Sequence, residues 1–185
     1  IISNAESNFE TMKVYLDRLG LRVNLRFIRR TSVDELRHFG RASLNLLAYD
    51  DFFGRTLRDY LSREKGARFF DLPFPIGASA TIDWLDALAK ITNRRDALTK
   101  ELQHLREEYE KELEIHRPEL EGRKLMIITY NHDIDWVLEP AIDLGMNVVK
   151  VGALTFSQDH LFRSRYSSII DIETNYPMKK RLDDI

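Results

Sequence analysis

Polar side chains gather at the ends of expected strands in three places. Tyr49-Asp50-Asp51 closes an apolar run from Ala42 to Tyr49. Asp71 and Ser79 flank the turn Pro73-Phe-Pro-Ile-Gly77. Tyr130-Asn131-His132-Asp133 follows the run that starts at Leu125. Sheets alternating with helices bind ligands beyond the carboxyl ends of their strands, so these are the places where chemistry is expected. The Asp50-Asp51 pair could hold a cation or a hydroxylated ligand, or it could cap the next helix and complement its dipole. His132 could contact a ligand, with Asn131 or Asp133 capping the following helix as the competing role. Ser79 has no assignable base, which argues against a nucleophile. Arg29-Arg30 could meet an anion or stand as solvated surface. No catalytic residue can be assigned.

Several chemistries are excluded. There is no G-x-G-x-x-G and no G-x-x-x-x-G-K-[ST], so no phosphate loop is encoded. His38, His104, His116, His132 and His160 show neither H-x-x-x-H nor H-E-x-x-H spacing, and no metal site is expected. With no Cys, the chain cannot form disulfides or ligate a metal through thiolate. The formal net charge of −2 gives no reason to expect nucleic acid as a partner. No apolar run reaches a membrane span, and Ile1-Ile-Ser-Asn is no signal peptide. The cytoplasm is the expected compartment.

The elements that must position these residues alternate between two periods. Phe9, Met12, Val14, Tyr15 and Leu19 recur at helical spacing before Gly20, after a possible strand stub at Ile1-Ile2. Leu21 to Ile28 alternates as a strand. Ser32-Val-Asp-Glu35 resembles a capping box opening a short helix. Strand is expected at 42–49, helix at 55–64 and strand at 67–72. A helix from Ser79 to Ile91 carries Ile82, Leu85, Leu88 and Ala89 on one stripe. A charged helix from Arg94 to His116 carries a narrow seam of Leu98, Leu102, Leu105, Tyr109 and Leu113, with Pro118 and Gly122 after it. A strand from 125, helix 133–144, strand 147–154, helix 158–165, strand 168–172 and a helix from Pro177 complete the order. Strands separated by helices imply parallel sheets. The expected division is an α/β lobe over 1–78, a helical connector over 79–121 and a partial second α/β lobe over 122–185.

The ordered motifs resemble one family. They are Tyr15-Leu-Asp-Arg-Leu-Gly-Leu-Arg-Val23, Ser32-Val-Asp-Glu-Leu36, Ala42-Ser-Leu-Asn-Leu46, Tyr60-Leu-Ser-Arg-Glu-Lys-Gly66, Pro73-Phe-Pro-Ile-Gly77, Thr81, Leu120-Glu-Gly-Arg-Lys124 and Leu144-Gly-Met-Asn-Val-Val149. In this order they resemble nitrogenase component 1: molybdenum–iron protein subunits, cofactor-assembly scaffolds and light-independent protochlorophyllide reductases. The resemblance implies Rossmann-like parallel-sheet lobes joined by a long helix. It implies that the chain, which opens without Met and stops at Ile185, is the second lobe and the start of the third in a longer protein. The parent would be an oxidoreductase taking part in ATP-driven electron transfer to a cofactor or substrate held between lobes, near Tyr49, Gly77, Asn131 and His132. Its partners would be an iron–sulfur ATPase electron donor and a homologous subunit. The parent would carry an iron–sulfur cluster, with a metallocluster or tetrapyrrole possible. This segment alone would be inactive and hold no cofactor.

The departures from that family bear on function. Tyr49 stands where the dinitrogenase catalytic subunit has a cofactor-ligating Cys, and a neutral phenol is a poor replacement for thiolate on iron. Tyr130-Asn131 and Asp133 stand where the same subunit has a Gly-Gly pair and a basic residue. Bulk would fill the space that bare backbone leaves, and the Asp reverses the local charge. A reductase of another substrate, or a non-catalytic scaffold for cofactor assembly, therefore fits better than a dinitrogenase catalytic subunit. An unrelated α/β ligand-binding protein is the third reading.

Overall fold

A computed structural model describes residues 2–26, 31–48, 52–129, 134–155 and 164–174. Six α-helices and three strands lie among them. The helices are α1 (Ile2–Arg18), α2 (Val33–Leu36), α3 (Phe52–Lys65), α4 (Ala78–Ile91), α5 (Arg95–Leu120) and α6 (Asp135–Asp143). The strands are β1 (Lys124–Thr129), β2 (Asn147–Thr155) and β3 (Ile170–Thr174). The backbone forms two compact units, one of residues 1–75 with 79–104 and one of residues 76–78 with 105–185. No helix among the described residues is long and apolar enough to cross a membrane.

In the first unit, helix α4 buries Ile82, Leu85, Leu88 and Ala89, the stripe read from sequence, and adds Trp84. The Trp84 indole N–H donates to the Leu72 carbonyl at 3.3 Å. Phe70 and Phe74 meet its ring edge-on, at 5.6 and 5.7 Å between centroids. These T-shaped contacts bring the positive ring edges to the negative faces and fix the approach to the Pro-Phe-Pro-Ile-Gly turn. Leu98 and Leu102 of α5 are buried in this unit as well.

The strands expected in this unit are reduced to fragments. Asn45 and Phe69 form one isolated parallel bridge. Around it the Asn45 N–H donates to the Arg68 carbonyl and the Phe70 N–H to the Asn45 carbonyl, each at 2.8 Å. Leu21, Val23 and Leu25 keep their alternating burial, yet residues 21–26 join no ladder. Periodicity reports which face is buried and says nothing of a partner strand in register. Ile2 belongs to a helix, not a strand stub, because no breaker precedes Gly20. The Ser32–Glu35 capping box is formed in full.

In the second unit the sheet is parallel throughout, in the order β1-β2-β3. Ile134, Leu138 and Val151 form its core, with Ile127, Val148, Tyr166 and Ile170 packed around them. The Gly-Arg-Lys and Leu-Gly-Met motifs meet here: the Gly122 N–H donates to the Gly145 carbonyl at 2.9 Å, and Asn147 N–H to Arg123 at 2.8 Å. Gly145 has φ +74, and a Cβ there would come within 3.2 Å of the Glu121 side chain. Helix α5 runs past Pro118 to Leu120, beyond the expected stop. Pro118 has no N–H to donate to the preceding turn, and the helix ends two residues later at Leu120. The expected strand at 168–172 begins later, at Ile170, after a 3₁₀ turn over Ser167–Ile169.

Candidate functional site

The described part of the candidate site is the start of α6 and the turn residue Gly77, both in the second unit. Helix α6 follows β1 and leads into β2, so its first turn lies at the carboxyl end of a parallel pair. Its N-cap is Ile134, which makes no side-chain cap bond. Burial sets this start, because Ile134 belongs to the core while Asp135 supplies an acidic first turn. Asn131 and Asp133, the competing candidates for a capping role, lie outside the described residues.

Gly77 has φ +97 and lies directly against Trp136. A Cβ on Gly77 would stand 3.0 Å from the Trp136 Cβ and 3.2 Å from its Cα. Only glycine combines that backbone angle with that approach. The Trp136 backbone is therefore seated on Gly77, while 50% of the residue remains exposed. Ile76, beside the seat, is 46% exposed.

Both ends of α6 are tied down. Asp135 accepts from the Ser164 hydroxyl and, at 2.8 Å, from the Arg165 N–H. The Arg165 guanidinium lies 3.5 Å from the Glu139 carboxylate. At the other end the Tyr109 hydroxyl donates to the Asp143 carboxylate at 2.8 Å. Arg117 donates to the Asp143 carbonyl at 3.3 Å. Burial, then the Asp143 hydrogen bond and charge, push the Tyr109 phenol well above its usual range. Burial and the carboxylates of Glu139, Asp143 and Asp135 also raise Tyr166. Both phenols stay neutral donors at physiological pH.

Of the residues singled out from sequence, Gly77 is placed by the structure. Tyr49, Asn131 and His132 lie outside the described residues, as do Asp50, Asp51, Tyr130, Asp133, Arg29 and Arg30. Asp71 is exposed, and Ser79 lies in the first turn of α4. Trp136 was not singled out from sequence; an aromatic in the first turn after a strand-end motif was the available signal.

The sequence matches the nitrogenase component 1 type oxidoreductase description over residues 1–182. The chain belongs to this family. Two curated relatives are both light-independent protochlorophyllide reductase subunit N. The protein from Bradyrhizobium sp. (strain ORS 278) is 31% identical over 140 residues, 75% of this chain and 32% of its own length. The protein from Rhodopseudomonas palustris (strain BisB18) is 32% identical over 112 residues, 60% of this chain and 26% of its own length. The matched region thus spans about a third of these relatives or less. Membership in the nitrogenase component 1 family removes the reading as an unrelated ligand-binding protein.

Iron–sulfur clusters are held chiefly by thiolates, and none of the 185 residues is Cys. No group of three His, Asp or Glu suited to a metal occurs among the described residues. The donor set does not fit a cluster on this chain.

Proposed function

We propose that this chain is part of a component 1 subunit that receives electrons from an ATP-driven iron–sulfur partner and passes them to a tetrapyrrole-class substrate. The family match over residues 1–182 carries this reading. The two relatives, both named as subunits of a reductase, favour a reductase over a cofactor-assembly scaffold. The subunit acts with a homologous partner in the cytoplasm, and the electron-carrying cluster is held by thiolates outside these 185 residues. Residues 1–78 and 122–185 serve as Rossmann-like lobes, with 79–121 connecting them. Tyr49, Gly77, Asn131 and His132 are the residues to which substrate contact is assigned, as the family resemblance implies.

The contribution of this chain is to bind and orient. Gly77 seats α6, the Asp135 and Asp143 ties hold it, and the first turn presents its surface to the substrate. Tyr49 in place of a thiolate suits a substrate held by shape and stacking rather than by iron ligation.

The test is assembly and electron acceptance. The full-length protein, co-expressed with a homologous subunit, should form a stable complex. A reduced iron–sulfur ATPase should be reoxidised by that complex only when ATP and the tetrapyrrole are both present. Reoxidation that ignores the tetrapyrrole, or release of a bound cofactor precursor to another protein without electron transfer, would favour the scaffold.

A further inference from the structure

We infer that Trp136 is the stacking surface for the tetrapyrrole, and that Gly77 and the ties on α6 exist to hold that indole in place. This rests on the function proposed above and adds the side chain that meets the ligand. The chain has two tryptophans, and they are treated oppositely. Trp84 is 1% exposed, with its N–H hydrogen-bonded and its ring between Phe70 and Phe74. Trp136 is 50% exposed, although its backbone lies so near Gly77 that a Cβ there would be crowded.

A large aromatic side chain left half in water on an immobile mount is a feature of binding surfaces. The mount here has three supports. Gly77 lies under the Trp136 Cα and Cβ. Asp135, one residue earlier, is held by Ser164 and Arg165. Asp143, at the far end of the helix, is held by Tyr109 and Arg117. Little backbone entropy is lost when a ligand meets a surface already fixed in this way. Ile76, the residue before Gly77, is also exposed. An indole offers dispersion and offset stacking and carries no charge. That chemistry suits a flat conjugated ring better than a phosphate or a metal ion.

The full-length protein with its homologous subunit, its W136A and W136F variants and free protochlorophyllide suffice for the test. The visible spectrum of the ligand reports its affinity in every variant, independently of tryptophan. The difference in acrylamide quenching between the parent and W136F reports access to Trp136, since every other tryptophan is common to both. Alanine keeps the Cβ that rests on Gly77, so W136A should match the parent in circular dichroism and melting. We expect W136A to weaken binding roughly tenfold or more and W136F by less than about threefold. We also expect bound ligand to protect Trp136 from acrylamide. Equal affinity in W136A, or a Trp136 that stays open to acrylamide in the complex, would overturn the stacking role and leave the proposed function standing. No binding by any variant would sink both the stacking role and the tetrapyrrole assignment. Protection of Trp136 by a partner subunit, with none from protochlorophyllide, would make it a protein contact and refute the inference.

Discussion

Substituting Gly77→Ala tests the seat of α6 directly. Two costs add at this position. A φ of +97 disfavours any residue with a Cβ, by about 1–2 kcal/mol. The new methyl would also stand 3.0 Å from the Trp136 Cβ and 3.2 Å from its Cα, atoms fixed to a helix held at both ends. Overpacking of that kind costs about 1–3 kcal/mol. The sum is about 2–5 kcal/mol. With a urea slope of about 2 kcal/mol per molar, the unfolding midpoint should fall by about 1–2.5 M. Hydrogen exchange should accelerate first in α6 and the 76–78 turn. A midpoint shift below about 0.25 M would refute the close approach. The double variant G77A/W136A sharpens the test. Alanine at 136 retains the crowded Cβ, so it should not rescue G77A. Rescue would place the clash in the indole ring and contradict the geometry.

Three further outcomes follow from the packing and the titrating groups. Tyr109→Phe removes the hydroxyl that Asp143 accepts and should cost about 0.5–1.5 kcal/mol, measured by urea unfolding. The native Tyr109 phenol holds its proton more tightly than an unfolded one, so its contribution is complete below about pH 10 and is lost as pH rises further. The loss should be shallower in Y109F and not abolished, because Tyr166 is raised as well. Leu85→Ala, at a fully buried position on α4, should cost about 2–5 kcal/mol in thermal or urea melts, while Leu72→Ala, at a half-exposed position, should cost much less.

Sequence reading was most successful where one local pattern decides the outcome. The stripe Ile82, Leu85, Leu88 and Ala89 is buried as a set, since helical period and apolarity act together within one element. Leu98, Leu102 and Leu113 of the α5 seam are buried for the same reason. The glycines at 122 and 145 mark turns that close on one another, which also explains why the two motifs accompany each other. Reading failed where the deciding contact lies far along the chain. Nothing near residue 77 announces Trp136, and nothing near Asp143 announces Tyr109. The helix expected from about residue 133 starts at Asp135, after the buried Ile134. Leu21 to Arg26 has the alternation of a strand and joins no ladder, since pairing depends on a neighbour that alternation cannot reveal.

The most direct test of the proposed redox role is anaerobic turnover by the full-length protein with its homologous subunit and a reduced iron–sulfur ATPase. We predict that protochlorophyllide absorbance is lost and a reduced-pigment band gained at a rate that requires ATP hydrolysis. A non-hydrolysable ATP analogue should give no turnover. Pigment reduction that proceeds equally without ATP, or none at all from a fully assembled and reduced complex, would contradict the account.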